Sequence, residues 1–398
     1  MRPVWTFSIL GSTGHKGIHI NHRQKCFVSS CPQRPTYEGR RGHVDALERN
    51  DLVPGSISVS RICLGTMLFG ESANACSAAT LLNQAAESGV NFFDTAEMYP
   101  VPQRAETQGM SEAILGSWMR SQCREDFVIA TKVTGPSGQM TWIRNGPSAL
   151  DSASITAAID GSLQRLRTDY IDLYQLHWPD RYVPMFGETR YQPENAYTAV
   201  PLEQQLEALA AAQKAGKIRH IGLSNETAWG LMECCRLAKA RKDLPRIASL
   251  QNAYSLLCRT FEGALAECCH LEQVPLLAYS PLAMGLLTGK YLGGGPEGAR
   301  LNKYKGRYAE AESRYGAKPN TVAAVQAYVA LAHSAAMSPT ELAIRFAMSN
   351  TLVTSIIVGA TSLEQLQEII EAAEKGPLSR DLLGAIDDIH QQFPNPNP

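Results

Sequence analysis

The stretch NFFDTAEMY, residues 91–99, begins with an apolar run of strand length that ends in the acidic residue Asp94. Two later runs share this form: FVIATK at 127–132 ends in Lys132, and YIDLYQLH at 170–177 ends in His177. In a parallel β/α barrel the carboxyl ends of the strands meet on one rim, where enzymes of this fold carry their chemistry. We therefore expect these three side chains to converge with Tyr99, which follows Asp94 by five residues.

These four residue types could form a tuned proton donor. A phenol titrates near pH ~10, which is too high for useful acid catalysis at neutral pH. A neighbouring ammonium stabilises the phenolate, and a carboxylate holds that ammonium in place. Lys132 would be costly to bury without a partner, so Asp94 is its expected partner. His177 alone would more often be a core histidine, but with the other three it predicts a catalytic site.

Strand and helix patterns alternate eight times after residue 52, which predicts an α/β fold with a parallel (β/α)8 TIM barrel. A doubly wound open sheet is the structural alternative, but its glycine-rich first turn is missing. The segment DLVPGSISVSRIC, residues 51–63, predicts a hairpin that plugs the bottom of the barrel. Gly89, Gly216 and Gly376 stand where helix C-caps are expected. The expected strands lie near Ile62–Leu64, Asn91–Asp94, Phe127–Lys132, Ile171–Gln175, Ile218–Leu223, Ile247–Gln251, Pro275–Ala278 and Ser355–Val358.

Three segments are too long to be simple connecting turns. They are Thr134–Ser154, Trp178–Pro201 and Gly293–Pro319, and each follows a predicted strand. We expect them to lie as long loops on the catalytic rim and to shape the substrate pocket. Anchoring of the loops is the alternative role for the aromatic residues in the first two, which are Trp142, Tyr182, Phe186, Tyr191 and Tyr197.

The first part of the chain differs from the rest. Residues 1–37 contain no Asp or Glu but carry scattered Arg and Lys among Ser, Thr and Gly, which is typical of an organelle transit peptide. We interpret residues 1–50 as a leader, with the chloroplast as the expected address, and residues 51–393 as the barrel domain. A disordered leader or a misplaced start, with a cytoplasmic enzyme, is the alternative.

The bulk composition excludes several classes of protein. Charged residues make up 19% of the chain and the net charge is −1, so no large basic surface is expected for nucleic acid or anionic membranes. The sequence contains no uninterrupted apolar run of about 18 residues, so we expect no membrane-spanning helix. The 10 cysteines show neither CxxC nor metal-ligand spacing, so we expect reduced thiols and no metal site.

Seven motifs in unbroken order resemble the aldo-keto reductase superfamily, over roughly positions 50 to 390. They are DTAEMY, IATKV, QLHWPDR, AGKIRHIGLSN, QNAYSLL, AYSPLAMGLLTGKY and IIVGATSLEQL. QLHWPDR and LSNETAWG resemble its Tas-like branch. The resemblance implies an NADPH-dependent enzyme that reduces a small-molecule aldehyde or ketone by direct hydride transfer. It further implies that Tyr99 donates the proton, His177 orients the carbonyl, Lys132 lowers the Tyr99 pKa and Asp94 anchors Lys132.

The resemblance also assigns cofactor-binding residues. Ser224, Asn225 and Gln251 match the group that holds the nicotinamide carboxamide, and Tyr279 matches the aromatic residue that stacks on the nicotinamide ring. Thr66 is assigned to the cofactor as well. The residues matched to the pyrophosphate are Ser280, Leu282, Gly285, Lys290 and Arg300. Those matched to the adenosine end are Gly359, Thr361, Gln365 and Glu368.

The chain departs from the family at the adenosine end. Ile369 stands where many members have an adenine-contacting Asn, and Gly359 and Gln365 stand where many have basic ligands of the 2′-phosphate. The departures weaken the preference for NADPH over NADH without reversing it. Two other functions remain open: a Schiff-base aldolase that uses Lys132, and a binding partner or redox sensor resembling potassium-channel β-subunits. The sequence does not predict the oligomeric state.

Overall fold

Eight parallel strands close into the barrel that the sequence predicts. The computed structural model describes residues 47–316, 318 and 320–397. An antiparallel hairpin precedes the barrel and consists of β1 (Arg49–Val53) and β2 (Ile57–Ser60). The barrel strands are β3 (Ile62–Gly65), β4 (Phe92–Asp94), β5 (Val128–Val133), β6 (Ile171–Leu176), β7 (Ile218–Ser224), β8 (Ile247–Ala253), β9 (Leu276–Tyr279) and β10 (Val353–Val358). Neighbours in sequence pair in parallel, and β10 pairs with β3 to close the ring.

Helices cover the outside of the barrel. Each of the first six barrel strands is followed by one of α1 (Ala75–Glu87), α2 (Met110–Met119), α3 (Ser152–Leu166), α4 (Leu202–Lys214), α5 (Ala228–Ala240) and α6 (Ala264–Glu272). Four helices follow β9: α7 (Arg300–Lys303), α8 (Ala309–Tyr315), α9 (Thr321–Ser334) and α10 (Pro339–Ser349). After β10 come α11 (Leu363–Glu374) and α12 (Arg380–Gln392). Short 3₁₀ segments occur at Arg124–Asp126, Ile143–Asn145, Pro193–Asn195, Thr260–Glu262, Ala283–Thr288 and Leu292–Gly294.

The helix ends follow from local sequence chemistry. Asp151 accepts a hydrogen bond from the Ser154 amide at 2.8 Å and so caps the start of α3. Gly89, Gly216 and Gly376 adopt φ values of 87°, 76° and 70° just after α1, α4 and α11. This left-handed conformation is one that glycine adopts without a steric penalty, so the three predicted C-caps are confirmed.

The hairpin fills the amino-terminal end of the barrel. Leu52, Ile57 and Val59 are buried and pack against inward-facing strand residues such as Phe92 and Leu173. This apolar contact excludes water from the end of the barrel opposite the strand carboxyl ends, and it confirms the predicted plug. A second, larger core lies between the outer faces of the strands and the helices.

Two of the three long segments cross the rim without an α-helix, between β5 and α3 and between β6 and α4. The prediction for the third segment, Gly293–Pro319, was incomplete, because this segment contains α7 and α8 rather than one continuous loop. Buried side chains, among them Ala311 and Tyr315, anchor α8 against the barrel. A helix this short would not be stable in isolation, so it depends on such packing.

The leader lies almost wholly outside the described residues. Strand β1 begins at Arg49, close to the predicted boundary at residue 51, and residues 1–46 are not described. The division into leader and barrel domain therefore remains a prediction. Among the helices that the structure describes, none combines the length and apolar character needed to cross a membrane.

Candidate active site

Asp94 and Lys132 form a buried ion pair at the carboxyl ends of β4 and β5. The two strands pair in parallel with Asp94 opposite Ala130, and Lys132 follows Ala130 by two residues. Since alternate residues of a strand face the same side, Lys132 faces the barrel axis, as Ala130 does. Its Nζ lies 2.5 Å from Asp94 Oδ2 and donates to the Thr95 carbonyl at 2.7 Å. Lys132 is 0% exposed, so the predicted pairing is confirmed.

Two amides hold the other carboxylate oxygen. Gln251 Nε2 donates to Asp94 Oδ1 at 2.8 Å, and Gln175 Nε2 lies 3.3 Å from the same oxygen. Gln251 also donates to Gln175 Oε1 at 3.1 Å. Both carboxylate oxygens therefore accept hydrogen bonds, which offsets the cost of burying the charge. The sequence prediction missed Gln175, although its register position directly opposite Lys132 identifies it.

Tyr99 and His177 complete the predicted group of four. Lys132 Nζ lies 5.1 Å from the centre of the Tyr99 ring, and the His177 ring meets the Tyr99 ring edge-on at 5.6 Å. Burial, and secondarily the Lys132 charge, lower the pKa of His177 well below its usual value. The imidazole is therefore neutral at physiological pH, with one N–H to donate and one nitrogen to accept.

Asn225 links His177 to Tyr279. Its Nδ2 donates to the His177 carbonyl at 2.9 Å, and its Oδ1 accepts from the Tyr279 hydroxyl at 2.6 Å. Ser224 Oγ donates to the Gln251 carbonyl at 3.0 Å. The residues assigned to the nicotinamide end thus form one hydrogen-bonded group beside the ion pair.

A cavity of about 770 Å³ extends from this group to the amino-terminal end of α11. Most of the cofactor residues predicted by resemblance line it: Gln251, Tyr279, Ser280, Leu282, Gly285, Lys290, Arg300, Gly359, Thr361, Gln365 and Glu368. Ser224 and Asn225 lie next to the cavity through their bonds to Gln251 and Tyr279. Thr66 lies behind the wall, because it is 0% exposed and its Oγ1 donates to the Asp94 carbonyl at 3.1 Å.

The loop after β9 lines the cavity with Ser280, Leu282, Met284 and Gly285. Ser280 and Met284 adopt φ values of 56° and 55°, and Gly285 adopts 92°. The φ of Gly285 favours glycine, and a Cβ there would also lie 2.8 Å from Nζ, at the flexible end of the Lys290 side chain. Burial and the neighbouring Arg300 lower the pKa of Lys290. Two cations held close together suit a multiply charged anion such as a pyrophosphate.

The far end of the cavity offers weaker ligands. Gln365 Oε1 already accepts from the amide and hydroxyl of Thr361, at 3.0 and 3.2 Å. Glu368 accepts from Ser338 Oγ at 2.9 Å, and Ile369 lies on the cavity wall beside it. A Cβ at Gly359 would meet nothing within 4 Å, so this position leaves open space. None of the residues predicted for the adenosine end is basic; the basic residues that line the cavity are Lys290, Arg300, Lys303 and Arg314.

Aromatic and other apolar residues from the long segments gather around Tyr99. Met140, Trp178, Tyr304 and Tyr308 are buried in one cluster with it, and Trp142 and Phe186 pack against that cluster. The other predicted aromatics behave differently: Tyr182 packs on Tyr191 at 5.4 Å between ring centres. Tyr191 and Tyr197 are 54% and 51% exposed. Those three residues lie outside the cluster that surrounds Tyr99.

Arg314 is a cavity residue that the sequence prediction missed. It lies on α8, is 5% exposed, and its Nη1 donates to the Tyr279 hydroxyl at 2.8 Å. No strand end or motif marks it in the sequence. Its position depends on the fold of the segment between β9 and α9.

Comparison with known proteins identifies the family. The sequence model of the Aldo/keto reductase family matches residues 61–391. The chain is 45% identical over 345 residues to Protein tas of Escherichia coli, covering 86% of this chain and 97% of that protein. It is 40% identical over 283 residues to an aldo-keto reductase of Babesia bovis, covering 68% of this chain and 97% of that protein. It is 31% identical over 346 residues to the human aflatoxin B1 aldehyde reductase member 4, covering 83% of this chain and 93% of that protein.

The family match extends from β3 to α12, so it includes every barrel strand and every residue of the group around Asp94. The similarity to Protein tas covers nearly the whole of that relative. The expected resemblance is confirmed at both levels. The chain belongs to the aldo/keto reductase family and is an enzyme of the oxidoreductase class.

Proposed function

We propose that the enzyme reduces small aldehydes or ketones to alcohols with NADPH, and that Tyr99 is the proton donor. The observation that carries this proposal is the buried ammonium of Lys132, which lies 5.1 Å from the Tyr99 ring centre and is held by Asp94. A buried cation beside a phenol favours the phenolate form and so makes the phenol a stronger acid. The phenol can then protonate a developing alkoxide at neutral pH.

His177 and Asn225 fit supporting roles in this reaction. Neutral His177 can donate a hydrogen bond to a carbonyl oxygen placed next to Tyr99, which orients the substrate and stabilises developing charge. Asn225 holds the His177 carbonyl, and therefore the backbone on which the imidazole is mounted. When bound, NADPH would supply the hydride to the carbonyl carbon.

The residues along the cavity fit NADPH. Tyr279 and Asn225 would receive the nicotinamide end, the amides of the 280–285 loop with Lys290 and Arg300 would hold the pyrophosphate, and Gln365 with Glu368 would lie at the adenosine end. Burial and, secondarily, Arg300 lower the pKa of Lys290, and a bound anion would offset both effects, which supports an anionic occupant. With Gln365 and Gly359 in place of basic ligands, we expect only moderate discrimination against NADH.

The surroundings of Tyr99 support an apolar carbonyl substrate. Trp178, Met140 and Tyr308 bury the approach to the phenol, and such a lining favours substrates with an apolar body. The human relative carries the name aflatoxin B1 aldehyde reductase, which supports aldehydes as the first class to test.

The Schiff-base alternative is less well supported. Lys132 is 0% exposed, and its ammonium binds both Asp94 and the Thr95 carbonyl. A Schiff-base lysine must instead lose its proton and reach a substrate carbonyl. Trapping with borohydride and a carbonyl substrate should therefore leave the protein unlabelled. The binding-partner alternative predicts no turnover. It is less well supported because Asp94, Tyr99, Lys132 and His177 are all present.

The test is consumption of NADPH with a panel of aldehydes, ketones and quinones. Tyr99→Phe should lower kcat by ~10²–10⁴-fold, the range of general acid–base contributions, while NADPH still binds. Activity within a few-fold of the parent enzyme would contradict the assignment of Tyr99. Dissociation constants for NADPH and NADH, from quenching of protein fluorescence, test the cofactor: tighter binding of NADH would contradict the roles of Lys290 and Arg300.

We also propose that residues 1–50 address the enzyme to a plastid, on the composition of residues 1–37. A fusion of residues 1–50 to a fluorescent protein tests this proposal directly. Plastid fluorescence is expected, and a diffuse cytosolic signal would leave the enzyme cytoplasmic. A protein that starts at Val44 should turn over at the parent rate, because the hairpin and barrel lie after that point.

A further inference from the structure

Arg314 is a buried cation with no acidic partner. It is 5% exposed, and no ion pair joins its guanidinium to a carboxylate among the side chains that the structure describes. Other arginines near the rim contrast with it: Arg165 pairs with Glu112 and Arg181 pairs with Glu226, each at 2.5 Å. Burying a charge without a counter-charge is expensive, so a structural role alone explains Arg314 poorly.

Its contacts place the charge at the nicotinamide end of the cavity. The guanidinium carbon lies 5.2 Å from the centre of the Tyr279 ring, and Nη1 donates to the Tyr279 hydroxyl at 2.8 Å. Nε is buried and has no hydrogen-bond partner among the described residues. Arg314 also lines the cavity itself.

The direction of these hydrogen bonds determines the orientation of Asn225. Arginine can only donate, so the Tyr279 oxygen accepts from Arg314 and its proton is donated to Asn225 Oδ1. The Asn225 amide group must then point towards the His177 carbonyl, at 2.9 Å. Arg314 is therefore a positioning residue that acts through Tyr279.

We propose that Arg314 makes the site bind the reduced cofactor more tightly than the oxidised cofactor, an inference that rests on the proposed function. The nicotinamide ring is positively charged when oxidised and neutral when reduced. If the ring stacks on Tyr279, an uncompensated cation at the edge of that tyrosine repels the oxidised form and leaves the neutral form almost unaffected. Hydride donation creates the positive ring, so the same charge makes that step less favourable and also weakens retention of the oxidised cofactor.

The test compares dissociation constants for NADPH and NADP⁺ by calorimetry in three variants. Arg314→Gln removes the charge but keeps an N–H donor for Tyr279. It should lower the preference for NADPH over NADP⁺ on the order of tenfold, which is about 1.4 kcal/mol. Arg314→Lys keeps the charge and should retain the parent preference. If Arg314→Gln does not fold, Arg314→Met removes the same charge and serves in its place.

Lys303→Met is the matched control, because Lys303 is an exposed cation on the wall of the same cavity. Its loss should change both affinities by the same factor, since the two cofactors share their phosphates. The role of Arg314 would be overturned if the charge-removing variant kept the parent ratio of the two dissociation constants. It would also be overturned if Arg314→Lys lost as much of the preference for NADPH as Arg314→Gln does. Failure of the parent enzyme to bind either cofactor would instead overturn the proposed function, and this inference with it.

Discussion

Replacement of Lys132 by methionine separates the chemical role of the buried ion pair from its structural role. Methionine has nearly the same length but carries no charge, so the barrel interior stays filled. The substitution removes the donor to Asp94 Oδ2 at 2.5 Å and the donor to the Thr95 carbonyl at 2.7 Å. Asp94 keeps its bonds from Gln251 and Gln175 on Oδ1.

The cost follows from these contacts. Breaking a buried pair by removing one partner typically costs about 3–5 kcal/mol, because a buried charge is left uncompensated. The two amides that still donate to Asp94 place the expected loss near the lower limit, about 3 kcal/mol. At the usual unfolding entropy per residue, that loss lowers the Tm of a barrel of this size by roughly 4 °C. The reductase activity should fall by at least ~10²-fold, because Tyr99 loses the cation that favours its phenolate.

The double variant Lys132→Met with Asp94→Asn is the matched control. It removes both charges, so it should recover most of the lost Tm while the activity stays low. Thermal unfolding followed by circular dichroism and NADPH consumption are measured on the same preparations. A Lys132→Met protein as stable as the parent, or a double variant no more stable than the single one, would refute the argument from the uncompensated carboxylate.

Three further outcomes are expected. Gln365→Arg should tighten NADPH relative to NADH by about 10- to 100-fold, since a charge-assisted contact contributes roughly 1.5–3 kcal/mol, and fluorescence titration measures the ratio. The pKa of His177 is lowered in the folded state, so its contribution to stability is complete above pH ~6.5 and is lost as the pH falls below that value. His177→Gln should therefore make the free energy of unfolding in urea depend less on pH below ~6.5. Asn397→Ala removes the donor to the Arg314 carbonyl and the acceptor for Thr321 Oγ1, and should cost about 1–3 kcal/mol in the same urea assay.

The barrel and its catalytic rim could be predicted because both depend on short-range patterns. Each strand is a short apolar run, and residues that end neighbouring parallel strands must meet on one rim. Asp94, Lys132 and His177 were accessible to this reasoning since no long-range packing detail is needed to place them. Gln175 was equally accessible, because a glutamine opposite Lys132 in a fully buried strand needs a polar partner.

Other features depend on packing that short-range patterns do not encode. Arg314 reaches Tyr279 only because α8 folds within the segment after β9 and is held there by Asn397, which is distant in sequence. Thr66 was assigned to the cofactor by resemblance, yet its hydroxyl is turned into the wall toward the Asp94 carbonyl. A motif fixes the position of a residue along the chain, whereas the side-chain direction depends on the hydrogen bonds that the folded protein offers.

The polar layer across the upper barrel connects stability with catalysis. Gln175 and Gln251 hold Asp94, and Asp94 holds Lys132 below Tyr99. Buried ion pairs seldom stabilise a fold more than apolar side chains of the same volume would, so stability alone does not account for this layer. What the layer provides is a single orientation for the Lys132 ammonium, 5.1 Å from the centre of the Tyr99 ring. Strand register fixes all four side chains. A shift of one residue in any of these strands would therefore turn its side chain out of the barrel and disrupt the contact of Lys132 with the proposed proton donor, Tyr99.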